Sequence, residues 1–132
     1  MANERKTVFA VLGADARQRA AADRLRQRGW QVVGGERLAA ADVILLPMPL
    51  GSESESLTRL LAGAKPGAVA FGGRVGPAAA QAAAQAGMPL RDYLAREELA
   101  VLNAIPTAEG CIALLLERRS RTLWGAAVLV LG

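Results

Sequence analysis

The chain has 132 residues, 52% of them hydrophobic, with 16 Lys plus Arg against 12 Asp plus Glu, no His and one Cys. That is one domain's worth of sequence, long enough to bury a core without a disulfide or metal staple. The absence of His excludes a Ser-His-Asp or Cys-His relay within the chain, and the single Cys111 excludes an internal disulfide and leaves no Cys/His zinc set. General acid or base work falls to carboxylates, Lys65, Tyr93 or a cofactor.

Alanine occurs 28 times and aromatic residues only five times, so the core must be built from thin, closely packed elements, as when helices lie on a sheet. Of the 16 cationic residues 14 are Arg. Arg17, Arg19, Arg24, Arg26 and Arg28 spread around a helix and the aromatics are scattered, which is not the one-sided, aromatic-interleaved surface of a nucleic-acid binder. No uninterrupted apolar run reaches the roughly 18 to 20 residues that span a bilayer. The polar start at residues 1–6 has no signal-peptide core, so the expected location is cytoplasmic, with neither membrane nor nucleic acid as partner.

Residues 7–12 are a β-rich apolar run closed by Gly13, and residues 16–28 an Ala-, Leu- and Arg-rich stretch stopped by Gly29, which predicts strand, tight turn and helix. Residues 30–33 predict a second strand ended by Gly34 and Gly35. Val43, Ile44, Leu45 and Leu46 are apolar at every position rather than alternating, the pattern of a parallel strand covered on both faces, and Pro47 and Pro49 end it. Ser54 or Ser56 can cap a helix running to about residue 62. After the Lys65-Pro66-Gly67 turn, residues 68–71 predict a fourth strand; Pro77 then opens an Ala- and Gln-rich helix that Gly87 stops, and residues 88–93 predict a fifth strand. The expected fold class is α/β: a three-layer, doubly wound, flavodoxin- or Rossmann-like parallel sheet of about five strands. Beyond it, residues 97–103 predict a short helix broken at Ile105-Pro106, and Thr107 caps a longer helix over residues 108–118. Val128, Leu129, Val130 and Leu131 have the composition of a buried parallel strand that stops at Gly132.

In such a sheet, ligands bind beyond the carboxyl ends of the strands, where the strand order reverses. The candidate loops are residues 13–17, 47–56, 72–76 and 103–109. The segment Gly13-Ala14-Asp15-Ala16-Arg17-Gln18 lacks glycine at the third and sixth positions of a dinucleotide turn, and a carboxylate at that helix mouth repels phosphate, so dinucleotide binding is excluded there. Asp15 reads as an N-cap that, with Arg17, can also orient a small polar or anionic substrate. Pro47 gives a rigid strand exit where a phosphoreceiver domain would need an Asp. Gly72-Gly73-Arg74 sets permissive backbone beside a guanidinium able to fork a carboxylate, or is a plain turn with a solvated Arg.

The C-terminal third carries the most specific signal: Asn103-Ala104-Ile105-Pro106-Thr107-Ala108-Glu109-Gly110, then Leu123-Trp124-Gly125 and the apolar run at 128–131. It resembles the N-terminal domain of the A subunit of dipicolinate synthase, where an Asn-x-Ile-Pro-Thr-x-Glu-Gly segment opens a helix crossing to a nucleotide-binding domain. Val11-Leu12-Gly13-Ala14-Asp15-Ala16-Arg17-Gln18 is similar to that family's opening strand and Gly-Gly-Asp-x-Arg loop, with Ala14 where a second Gly is usual, and Ile44-Leu45-Leu46-Pro47 to its third-strand exit. More broadly, the hinge resembles that of D-2-hydroxyacid dehydrogenases, which place a catalytic His in the other domain.

The resemblance implies one component of an oxidoreductase that, with the flavoprotein-like B subunit of dipicolinate synthase, oxidises a dihydrodipicolinate-type ring to dipicolinate for bacterial spores. It implies a substrate-side domain over residues 1–121. Residues 122–132 would be the linker and first strand of a truncated nucleotide-binding domain. The fragment itself would bind no cofactor and be inactive alone; NAD(P) would belong to the missing domain, with Gly132 at the start of its turn. Asp15, Arg17, Arg74, Asn103, Thr107 and Glu109 are the candidate residues for a small dicarboxylate substrate, and a homodimer remains open. The alternative is a non-catalytic flavodoxin-like interaction module that docks a partner subunit through an exposed Ala-rich helix.

Overall fold

A computed structural model describes residues 6–48, 50 and 54–131. The chain forms two compact units, Met1–Arg96 and Glu97–Gly132.

The first unit contains β1 (Val8–Val11), α1 (Ala16–Gln27), β2 (Gln31–Val33), β3 (Val43–Leu45), α2 (Ser54–Ala62), β4 (Val69–Gly72), α3 (Pro77–Gln85) and β5 (Leu90–Asp92), with short 3-10 turns at Gly35–Ala40 and Tyr93–Ala95. All pairings are parallel and the strand order is β2-β1-β3-β4-β5, the flavodoxin-like order expected from the alternation of strands and helices. Phe9 sits between Val32 of β2 and Val43 of β3, and Ala70 pairs with both Ile44 and Leu90, so β1, β3 and β4 are interior strands.

Parallel strands need long crossovers, and right-handed crossovers that start from β1 and β3 in opposite directions send α1 to one face and α2 and α3 to the other. Helices α2 and α3 pack against each other there. Their side of the sheet is fully buried: Val8, Ala10 and Leu12 from the first strand segment, Ile44 and Leu46 from the third, and Ala68 and Ala70 from the fourth, under Leu61 and Ala83. Half of the buried hydrophobic residues among those described are alanines, which lets α3 approach closely through Ala79, Ala82 and Ala83. On the α1 side, Phe9, Val11, Val43, Leu45, Val69 and Phe71 are only half-buried. The expectation that β3 is covered on both faces is met fully on the α2–α3 side and in part on the α1 side. Trp30 partly closes this side by packing edge-on to Phe9 at a ring-centroid distance of 5.6 Å.

At the amino ends of the strands Asp42 accepts from the Val8 amide at 2.8 Å and pairs with the Lys65 ammonium. Asp42 thus ties the start of β1, the start of β3 and Lys65 together at the end of the sheet opposite the strands' carboxyl ends.

The second unit is dominated by α4 (Glu97–Arg118), a continuous 22-residue helix with no buried residue. Two expectations are corrected here. Ile105-Pro106 does not break the helix, and Thr107 is not its N-cap: the Thr107 hydroxyl lies within the helix and donates to the Asn103 carbonyl at 2.8 Å. Proline removes one amide donor, but a helix with enough turns on either side can absorb that loss. Glu109 accordingly stands mid-helix, and the carboxylates of the first turn are Glu97 and Glu98. The run 128–131 is not a strand but irregular and exposed, because no neighbouring strand among the described residues pairs with it. Helix α4 is also long and apolar enough to cross a membrane, with a mean hydropathy of 1.8 over 18 residues. A count of uninterrupted apolar residues overlooks it because Asn103, Pro106, Thr107 and Glu109 punctuate the run.

Candidate functional site

The strand order reverses between β1 and β3, whose following loops lead away in opposite directions and leave a crevice at their carboxyl ends. Two side chains from α1 tie those loops together. Gln18 is buried and donates from Nε2 to the Leu46 carbonyl at 2.8 Å; Arg17 donates from Nη2 to the Met48 carbonyl at 2.8 Å. The same Nη2 lies 3.2 Å from Asp15 Oδ2. The other Asp15 oxygen accepts from the Gln18 amide at 2.9 Å, making Asp15 the N-cap expected from sequence. That amide above all, opposed by desolvation and helped by the Arg17 guanidinium, holds the Asp15 carboxyl below the usual carboxylate range.

The loop positions demand glycine. Gly13 has φ of +100°, and a Cβ there would come within 2.9 Å of Pro47 Cβ, so strand exit and helix entry close up only with glycine. A Cβ at Gly73 would lie 2.7 Å from both Met48 Sδ and the Tyr93 hydroxyl. Gly73 is the notch that lets Met48 and Tyr93 converge, their sulfur and hydroxyl oxygen 4.0 Å apart. Tyr93, one of the few groups able to move a proton in this protein, therefore stands at the carboxyl end of the sheet.

Asp92, at the end of β5, is not among the candidates expected from sequence, yet it organises this rim. One oxygen accepts from the Val75 amide at 2.9 Å and the other from the Leu94 amide at 2.8 Å, joining the β4 exit to the turn after β5. The Val75 amide and then those of Leu94, Arg74 and Ala95 lower its pKa below the ordinary value, with desolvation opposing them. The available signal was an Asp ending a strand before a turn, a setting in which Asp bonds to amides two residues on. Arg74, exposed on the same loop, has φ of +56°, a left-handed conformation rare for a side chain of its size.

The structure thus brings Asp15 and Arg17 together and places Arg74 two strands away, on the loop after β4 at the same end of the sheet. Asn103 and Thr107 are joined to each other within α4, and Glu109 is exposed two residues beyond Thr107. Gly132 and the 51–53 part of the β3–α2 loop lie outside the described residues, as do the side chain of Ser54 and all of Pro49. A cleft of about 290 Å³ between α1 and β2 adjoins the crevice, lined by Gly13, Gln18, Arg19, Arg26 and Gly34. Its arginines are engaged, Arg26 by Asp23 and Arg19 by the Ala14 carbonyl. The Asp15 carboxylate already occupies the Gln18 amide, one of the donors that a phosphate would meet at the start of α1. Among the described residues, no group of three or more Cys, Asp and Glu is placed to hold a metal ion.

Strand order and connectivity together define a doubly wound α/β domain of flavodoxin-like order, with the switch point between β1 and β3. The fold is similar to that of the dipicolinate synthase A polypeptide from Bacillus subtilis, with a TM-score of 0.69 and 22% identity, covering 89% of this chain but 50% of that one. It is equally similar to the dipicolinate synthase A subunit from Bacillus halodurans, with a TM-score of 0.69, 19% identity and the same coverage. The protein spans about half the length of these solved structures. No family model and no curated protein matches the sequence.

Proposed function

We propose that the protein is the substrate-side N-terminal domain of an oxidoreductase of the dipicolinate synthase A type, acting in the cytoplasm in the oxidation of a dihydrodipicolinate-type ring during sporulation. The observation that carries this reading is Arg17 held by Asp15 and the Met48 carbonyl at the switch point, in a fold like that of dipicolinate synthase A subunits. Among the described residues the remaining guanidinium donors of Arg17 have no partner, and a fork fixed in place loses little freedom on meeting a carboxylate. Arg74 offers a second fork from the loop after β4, two strands away. In this reading the domain binds and orients the substrate's carboxylates, Asp15 and Asp92 keep the two arginine-bearing loops in place, and Tyr93 stands where a hydroxyl can donate to the bound ring. Asn103 and Glu109 belong to the hinge that faces a nucleotide-binding domain over residues 122 and beyond, where NAD(P) would supply the hydride chemistry. The isolated domain is then inactive, and the flavoprotein-like B subunit is the expected partner.

The test is titration with dipicolinate followed by amide chemical shifts. Shifts are expected at residues 12–19, 46–48 and 73–76, with Arg17→Lys and Arg74→Lys each weakening binding about tenfold or more, as loss of a charge-assisted bond implies. Shifts confined to other regions, or none, overturn the assignment. A second reading, an interaction module without small-ligand chemistry, is favoured by the large apolar side chains that α4 exposes, Val101, Leu102 and Ile105 among them; it predicts tight binding of the B subunit when no ligand is present.

A further inference from the structure

The cleft of about 290 Å³ between α1 and β2 is built wholly within the first unit, from residues 11–34. Its floor is apolar, with Ala22 buried and Val11 and Val32 half-buried. Its polar wall comes from α1. Gln18, only 7% exposed, gives its Nε2 to the Leu46 carbonyl, and that acceptor fixes which way the amide is turned. Its Oε1 points away from Leu46 and accepts from no group among the described residues. Yet no fully buried polar side-chain atom among those residues lacks a partner, so Oε1 keeps an opening, which the cleft that Gln18 lines supplies. Arg19 and Asp23 stand one turn apart on the same wall, close enough on a helix to pair. Each is turned elsewhere: Arg19 Nη1 donates to the Ala14 carbonyl, and Asp23 Oδ1 accepts from Arg26 Nη1 at 3.0 Å. A cation and an anion are thus left side by side with unused capacity, since a guanidinium has five donors and a carboxylate two oxygens.

We infer that this cleft binds a free α-amino acid with an aliphatic side chain. The ligand's carboxylate meets the Arg19 guanidinium, its ammonium donates to Gln18 Oε1 and to Asp23, and its side chain covers Val11, Ala22 and Val32. A zwitterion is the class that answers every group on the wall. A phosphate would meet the Asp23 carboxylate and an acceptor oxygen where it needs donors, and a simple amine would leave Arg19 without a counter-charge. Size agrees, because about 290 Å³ lies close to the lower limit of the roughly 300 to 1,000 Å³ of small-ligand pockets, room for one such molecule and too little for a dinucleotide. The Asp23–Arg26 pair does not stand in the way: its side chains are 65% and 57% exposed, and pairs so exposed are weak. The site is separate from the crevice at the switch point and does not depend on the function proposed for it.

The experiment is titration of the full chain with L-leucine, followed by amide chemical shifts. Beside it run 4-methylpentanoate and 3-methylbutylamine, which keep the carbon branch of leucine but lack the ammonium or the carboxylate. L-leucine should shift the amides of Arg19, Ala22, Asp23, Val33 and Gly34, and each analogue should bind about tenfold more weakly or worse. Asp23→Asn should weaken L-leucine about tenfold without weakening 4-methylpentanoate, whereas Arg19→Gln should weaken both. Both replaced side chains are exposed, and unchanged amide shifts in β3, β4 and β5 show that the variants fold. No shift at millimolar L-leucine, shifts confined to residues 46–48 and 73–76, an analogue that binds as well as L-leucine, or unchanged leucine affinity in Asp23→Asn each overturns the proposal. Dipicolinate binding at the crevice is a separate measurement that none of these outcomes decides.

Discussion

Arg17 Nη2 donates to the Met48 carbonyl at 2.8 Å, fastening the loop that leaves β1 to the loop that leaves β3 where the strand order reverses. The bond joins residues 31 apart in sequence and sits at the surface, so it fixes the geometry of the crevice more than the stability of the fold.

Replacing Arg17 by Lys should separate those two effects. An ammonium cannot present the planar fork that meets both the Asp15 carboxylate and the Met48 carbonyl. The expected change in urea-unfolding stability is within about 0.5 kcal/mol, as for most surface substitutions, while the amide resonances of Met48 and Gly73 shift.

Stability should fall at acid pH through Asp15 and Asp92. Both carboxyls titrate in the folded protein below their ordinary value of 3.8. A folded pKa below the unfolded one means a contribution fully present above about 3.8 that disappears as pH falls through the folded value. Urea midpoints measured from neutral pH downward should therefore drop below pH 4 or so, and the double variant Asp15→Asn with Asp92→Asn should show a flatter acid limb. An unchanged slope in that variant counts against both carboxylates as acid-sensitive ties.

Gly73→Ala should cost about 1 to 3 kcal/mol, the usual effect of overfilling a packed site. The added methyl would sit 2.7 Å from Met48 Sδ and the Tyr93 hydroxyl. Shortening Met48 to Ala in the same variant should recover part of the loss on the sulfur side, seen as a thermal midpoint between those of the single variant and the wild type.

Pro106→Ala should strengthen α4 by up to about 3 kcal/mol, the penalty for proline in a helix interior. Hydrogen exchange gives the readout: amide protection in the turns around residue 106 should rise, and protection in the five strands should not.

The sheet was legible because its signals are local and redundant: Val43 through Leu46 for an interior strand, Gly13 and Gly29 around α1, and Pro77 at the start of α3. Asp15 was legible for the same reason, since an N-cap needs only its own helix. Arg17 was legible as a candidate side chain at the β1 exit, but its tie to Met48 was not, because that bond depends on strand order bringing two loops together. Asp92 escaped notice because its amide partners come from the preceding crossover loop as well as from its own turn. In α4 a strong local signal misled: Pro106 and Thr107 together spell a break followed by a cap, whereas the apolar residues on both sides carry the helix through.

Alanine's share of the buried core reverses the usual direction of mutational damage. Where Leu or Phe fills a core, random substitution mostly hollows it out; at Ala70, Ala79, Ala82 and Ala83 nearly every substitution adds volume instead. A larger side chain on α3 would lift the helix away from the sheet and carry the Gly73-Arg74 loop, which leads into it, outward as well. The rim that holds Arg74 is thus tuned by residues that carry no functional group, and drift at those alanines would first be felt as a change in the width of the crevice.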